Sequence, residues 1–287
     1  MKILTTVWGE NHIELFKKTA LKSLAWPENK QALTGAKWTI CTDQRFFTPL
    51  RELITDLFDV QLEFKDTTDL RDYIDPIQSA ILKTIGECLD EKEKLLLVPP
   101  DTYFGETSIP HLINLGSDPD SVVVVPHVRV LPSIIDDIAD AEVLYNDGLV
   151  TRAFQHLHQS WSDAERGHVR QNGYVGGVVW ARVAPSILSV IHRLPTPYYM
   201  QFTGEDLTYF KSQISFGGFD HLWPGDILLK RGRMRYCASS DLCFMAEVTE
   251  KNKNVPPIWP GDPNSFWRQN FHNEINKQII ATFRGKL

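Results

Sequence analysis

The feature that most limits how this chain can fold is the alternation, over its first 130 residues, of short apolar runs with amphipathic stretches. A short apolar run becomes a strand buried on both faces, and the amphipathic stretch after it becomes the helix that covers it. Ile3 to Val7 reads as the first such strand. Behind it Ile13, Phe16, Ala20 and Leu24 recur at helical spacing, and Trp26-Pro27 ends the helix. Trp38 to Thr42 reads as a second strand running into Asp43, and Leu50 to Phe58 as another helix. Asp75-Pro76-Ile77-Gln78 combines an aspartate cap, a proline in the first turn and a glutamine three residues beyond the cap, so it predicts a helix start. Ile77, Ile81, Ile85 and Cys88 mark the buried face of that helix, which leads into Leu95 to Val98, a central strand stopped by Pro99-Pro100-Asp101. Ser121 to Pro126, with four consecutive valines, predicts the next strand. The fold class is therefore α/β, a mostly parallel central sheet with helices on both faces. Open parallel sheets take ligands beyond the carboxyl ends of their strands, so Thr5 to Trp8, Thr42-Asp43 and Asp101 to Phe104 are expected to face one crevice.

From about residue 145 the pattern loosens. The segment Asn172-Gly173-Tyr174-Val175-Gly176-Gly177 precedes the apolar run Val178 to Ala181; Ala184 to Ile191 and Glu205 to Ser215 read as helices, and Lys251 to Pro263 as loop. No linker divides the chain, which predicts one domain over 1–287, with a ligand-binding half over about 1–130 and an elaborated half over about 145–287. A chain of 287 residues with 43% hydrophobic residues has ample material for a core. No run reaches the ~18 to 20 apolar residues of a membrane helix, and Ile3 to Val7 is too short for a signal peptide, so a cytoplasmic location is expected. Cys41, Cys88, Cys237 and Cys243 lack paired zinc-ligand spacing and read as reduced core thiols. The net charge of -6 divides into +4 over 224–287, from ten Lys or Arg against six Asp or Glu, and -10 over the rest. A basic tail of that strength is weak evidence for nucleic acid and is otherwise a solvated surface.

The chemistry-bearing residues are few. A carboxylate just past a central strand puts a hard oxygen ligand, suited to Mg²⁺ or Mn²⁺, at the mouth of the crevice, and Asp101 is so placed. Pro-Pro-Asp-Thr is equally ordinary turn chemistry. The glycines near Gly176 and Gly177 allow close backbone approach to a ligand, with Tyr174 and Trp180 at hand to stack on a sugar or base; a tight turn before a strand accounts for them as well. His156, His158 and His168 have no ligand spacing.

The order of these features resembles the A-type (GT-A) glycosyltransferase fold, a Rossmann-like nucleotide-sugar-binding fold. Its members place an Asp-x-Asp metal motif after a central strand, then a glycine loop, an acidic x-Glu-Asp motif and a late metal-binding histidine. In this chain Asp101, then Gly173 with Gly176-Gly177, Gly204-Glu205-Asp206 and His221 fill that order. Thr5-Thr6-Val7-Trp8-Gly9-Glu10 followed by Leu21-Lys22-Ser23-Leu24 is similar to the first strand and helix of a poorly characterised group within it, and the likeness spans roughly residues 3 to 225. The resemblance implies a hexosyl- or pentosyltransferase that moves a sugar from a nucleotide-sugar, UDP-linked, with Mn²⁺ or Mg²⁺ as cofactor. It implies that Thr5, Val7, Trp8, Asp43, Lys83, Asp101, Gly176 and Gly177 hold the donor. Asp101 and His221 then bind the metal, and Asp206 or Glu205 serves as general base. Pro99 stands where the family has its first aspartate, which makes a metal-independent variant conceivable. Thr203-Gly204-Glu205-Asp206 also fits a helix capping box. The acceptor stays open between a glycan, a protein and a hydroxymethylated, phage-type DNA base, for which Lys230, Arg231, Arg233, Arg235 and Trp267 are the available basic and stacking residues. A non-catalytic nucleotide- or sugar-binding module on the same fold is the competing reading.

Overall fold

The computed structural model describes residues 1–67, 74–162, 178–192, 196–212, 233–251 and 279–285. Their strands are, in chain order, β1 (Lys2–Thr6), β2 (Lys37–Thr42), β3 (Gln61–Asp66), β4 (Leu95–Leu97), β5 (Thr102–Phe104), β6 (Val122–Val125), β7 (His127–Val130), β8 (Val178–Ala184), β9 (Ile187–His192), β10 (Thr196–Met200), β11 (Met234–Tyr236), β12 (Met245–Val248) and β13 (Ile279–Arg284). A central sheet takes seven of them in the order β11-β6-β10-β4-β1-β2-β3. β1 is parallel to β2 and β4, β2 to β3, and β11 to β6, whereas β10 is antiparallel to both its neighbours, β4 and β6. The sheet is therefore mostly parallel, with β10 the reversed strand.

Pleating sends alternate residues of each strand to opposite faces, and both faces are apolar. On one, helix α1 (Gly9–Phe16) and the helices Phe47–Leu57 and Ser108–Leu115 pack Phe16, Leu50, Ile54, Ile109 and Leu112 near Ile3, Trp38, Ile40, Leu96 and Val123. On the other, the helices Ile74–Glu91 and Gly204–Ser212 bring Ile85, Cys88 and Phe210 to Leu4, Cys41, Leu95, Val122 and Val124. Each such side chain, fully buried, contributes about 1.5 to 3 kcal/mol. A smaller sheet, β5-β12-β7, and a third, β13-β9-β8, enclose a separate cluster that includes Tyr103, Val128, Trp180, Leu188, Phe244 and Phe283.

The helix expected over Ala184 to Ile191 is instead a hairpin: β8 pairs antiparallel with β9 across the turn at Pro185 and Ser186. Leu188 and Val190, two residues apart, are the buried positions, and this spacing, with β-branched neighbours, suits a strand. β3 and β10 were not anticipated. β3 lies at the sheet edge with Gln61, Glu63 and Asp66 exposed, so it lacks the apolar run that marks a central strand. All four cysteines are buried and free, as expected, and burial pushes the Cys41 and Cys88 thiols up to about 12. Among the described residues no helix is long and apolar enough to cross a membrane.

Candidate nucleotide-sugar site

Strand direction decides where the chemistry can collect. The carboxyl ends of β1, β2, β3 and β4 lie on one edge of the sheet, together with those of β6 and β11 and the amino end of β10. That edge carries Val7-Trp8, Asp43, Thr67, the segment Val98 to Asp101, and Thr196. Asp43 and Asp101 thus share one rim, as the crevice rule predicts.

At the rim, β1 turns into α1 through Gly9, whose φ of +68° is left-handed and favours glycine. Trp8 packs its ring at 4.7 Å from His12, whose Nδ1 meets the Trp8 carbonyl at 3.1 Å. Asp43 accepts a hydrogen bond from the Thr67 hydroxyl at 3.3 Å and lies 3.6 Å from Arg45, which also reaches Glu10 at 3.6 Å.

Asp101 is presented by a loop that is tied down on every side. Behind α1 the chain widens into a π-helical turn, Lys17–Leu21, which releases backbone carbonyls from the helix ladder. Tyr103 donates its hydroxyl to the Lys18 carbonyl at 2.8 Å, and Thr19 places its hydroxyl 2.7 Å from both the Leu15 and Pro100 carbonyls. The Asp101 carbonyl accepts from the Val248 amide at 2.8 Å, and the Phe104 amide donates to the Ser23 hydroxyl at 3.1 Å. The backbone of Asp101 is fixed, while its residue is only half-buried and its carboxylate receives the Thr102 hydroxyl at 3.5 Å.

Other expected site residues fall elsewhere. The Thr5 hydroxyl is fully buried and accepts from the Trp38 indole at 3.0 Å, and Val7 is fully buried in the core, so neither side chain can touch a ligand. Lys83, 61% exposed, sits 3.8 Å from Glu87, which in turn binds Lys2 at the amino end of β1; it belongs to an ion-pair ladder on the helix and not to the rim. Asp206 and Glu205 follow β10, which runs backwards, and so lie at the opposite edge of the sheet. There Asp206 is 2% exposed and forms the capping box with Thr203, accepting from its amide at 2.7 Å and its hydroxyl at 2.9 Å. Arg233 holds the same carboxylate with one guanidinium nitrogen at 3.1 and 2.9 Å and donates its other groups to the Gln201 and Asp120 carbonyls. The Asp206 carboxylate is thus engaged by Thr203 and Arg233, and it and the exposed Glu205 lie one strand length from the rim that carries Asp43 and Asp101. Arg235 pairs with Asp118 at 2.9 Å at that same edge. Trp180 is buried and donates its indole to the Trp161 carbonyl at 2.7 Å, so it stacks on no ligand. Gly173, Tyr174, Gly176, Gly177, His221, Lys230, Arg231 and Trp267 lie outside the described residues.

A polar cluster beside the rim was not anticipated from the sequence. In the small sheet, Tyr103, Ala246, Val248, Val128 and Val130 pack into the second core, while Thr102, Glu247, Thr249, His127 and Arg129 occupy the opposite pleat. Glu247 receives His127 Nε2 at 2.8 Å, Arg129 Nε at 3.3 Å and the Thr249 hydroxyl at 3.1 Å. Burial pushes its carboxyl up, but the ion pairs with His127 and Arg129 and the hydrogen bonds outweigh it and bring the group down to about 2. His127 Nδ1 lies 3.4 Å from the hydroxyl of Thr196, at the rim end of β10. The signal was available: polar residues two apart, in His127-Val-Arg129-Val and Glu247-Val-Thr249, mark a strand with one polar face.

Among the described residues no three His, Cys, Asp or Glu side chains gather as a metal site. A cavity of about 580 Å³ lies away from the rim, on the helical side, lined by residues including Leu21, Trp26, Leu53 and Leu57.

No protein-family model matches the chain, and no curated protein does. Solved structures similar to it include residues 1–349 of S. aureus TarS in complex with UDP-GlcNAc, at 15% identity over 93% of this chain and 64% of that one, TM-score 0.43. Mouse xyloside xylosyltransferase 1, apo form, is 15% identical over 44% of this chain and 53% of its own, TM-score 0.34. S. aureus TarS is 18% identical over 45% of this chain, TM-score 0.29. The chain spans 22% of that TarS structure and about half of the xylosyltransferase.

Proposed function

We propose that this chain transfers a sugar from a UDP-linked donor to an acceptor hydroxyl, with the donor lying along the carboxyl-end rim. The observation that supports it most is the rim itself: Asp43 at the end of β2 and the anchored Asp101 beyond β4 flank Val7-Trp8, the span a nucleoside and its diphosphate would cover. Transfer breaks the bond between the anomeric carbon and the diphosphate oxygen, and the electron pair leaves with UDP. Negative charge grows there and must be met. One carboxylate cannot cage a divalent ion, but Mg²⁺ and Mn²⁺ sites of this kind use one or two carboxylates plus substrate phosphates, which suits Asp101. A bound ion would supply charge neutralisation at the leaving group. On this reading Asp43 faces the nucleoside, Asp101 the diphosphate, and the anchored loop spares the site the cost of ordering the Asp101 backbone on binding.

The test is to incubate the purified protein with Mn²⁺ and a panel of UDP- and other nucleotide-sugars and follow release of nucleoside diphosphate. Slow donor hydrolysis, reduced at least tenfold in Asp101→Ala, is the expected result. Nucleotide binding with no turnover in any donor, with or without a candidate acceptor, identifies a binding module in place of an enzyme.

A further inference from the structure

Along the rim, sheet order sets Asp43 (β2), Trp8 (β1), Asp101 (β4) and then Thr196 (β10) and His127 (after β6) in one line. If the donor occupies the first three, as proposed above, the acceptor belongs beside the fourth, against the polar face of β5-β12-β7. Arg129 stands on that face, 29% exposed. Only its Nε is used, by Glu247 at 3.3 Å; among the described residues the two terminal nitrogens of the guanidinium have no hydrogen-bond partner. Glu247 does not consume the arginine's charge alone, because His127 and Thr249 donate to the same carboxylate at 2.8 and 3.1 Å. The result is a partly exposed guanidinium held at Nε, whose two terminal nitrogens can receive a planar or tetrahedral oxyanion through two parallel hydrogen bonds. Thr102 and Arg129 sit on either side of Glu247 in register, so the backbone of Arg129 is about 10 Å, two strand spacings, from the strand that begins beside Asp101.

We propose that Arg129, positioned by Glu247, is an oxyanion-recognition residue of the acceptor subsite, and that the acceptor carries a phosphate or carboxylate near the hydroxyl that is glycosylated. The inference rests on the nucleotide-sugar reading for its placement. Calorimetry on the full chain, saturated with UDP and Mn²⁺, tests it with glycerol 1-phosphate, glycerate and glycerol as probes. The wild type should bind one or both anions and not glycerol, and the stronger anion tells phosphate from carboxylate. Arg129→Gln should weaken that binding at least about tenfold, the loss of hydrogen bonds to a charged group, while UDP affinity stays within twofold. Arg129→Lys, which keeps the charge and loses the fork, should fall between them, and it serves if the glutamine variant does not fold. Equal binding of glycerol and the anions, or unchanged anion affinity in both variants, overturns the proposal. A parallel loss of UDP affinity also overturns it, by making Arg129 a donor contact. Failure of UDP to bind wild type refutes the nucleotide-sugar reading instead, and the anion titration is then read without UDP.

Discussion

At the residue scale, two carboxylates show how environment assigns roles that sequence order cannot. Asp206 matches an acidic motif in sequence, but its oxygens serve the Thr203 cap and Arg233. Removing one partner of a buried ion pair leaves the other charged and uncompensated, so Asp206→Asn should lower stability by about 3 kcal/mol. Thermal melts should drop by about 6 to 12 °C on that basis, with the rate of donor hydrolysis by the folded protein unchanged. A variant that melts like wild type yet has lost turnover would restore the catalytic role. Glu247 gives the pH counterpart. Its folded value, about 2, lies below the ordinary carboxylate value of 4.5. Its contribution to stability is therefore present above the unfolded value and is lost as pH falls toward 2. Urea midpoints of wild type and Glu247→Gln should differ most near neutral pH and converge between about pH 4.5 and 2; a difference that stays constant to pH 2 contradicts the pairing with His127 and Arg129.

At the scale of elements, two glycines separate backbone strain from helix propensity. Gly9 turns β1 into α1 at φ +68°, with open space where a Cβ would stand, so Gly9→Ala should cost about 1 to 2 kcal/mol through conformation alone. Gly86, inside the helix Ile74–Glu91 and equally unobstructed, has no such φ, and Gly86→Ala should stabilise by about 0.5 to 1 kcal/mol. Chemical denaturation of the two variants checks both signs. The same contrast explains what could be read from the sequence. β1, β2, β4 and β6 were legible because both faces are buried, which writes a continuous apolar run, and the helix expected from Asp75-Pro76 is present as Ile74–Glu91, with Asp75 already inside it. β3 was hidden by its exposed edge, and β10 by the bulge between Pro197 and Tyr199 that breaks its pattern. β9 fits a helical expectation because Ala184, Leu188 and Ile191 also satisfy a spacing of three and four.

At the scale of the whole molecule, the missed direction of β10 mattered most. A sequence gives the order of motifs, but only strand direction says which edge of the sheet each reaches, and one reversed strand carried Glu205 and Asp206 to the far edge. The rim residues survived because their strands are parallel: Asp43 and Asp101 are on one edge, although Thr5 and Val7 turned inward to the core. The polar wall of His127, Arg129 and Glu247 comes from strands far apart in the chain, and no local pattern ties them together. The central claim is that this rim binds a nucleoside diphosphate through Asp101. Calorimetric titration of UDP into wild type and Asp101→Ala, each with and without Mn²⁺, tests it most directly. The account predicts that Mn²⁺ tightens UDP binding to wild type at least tenfold and that Asp101→Ala abolishes the gain without lowering the melting temperature. Equal UDP affinity in the two proteins under both conditions would contradict it.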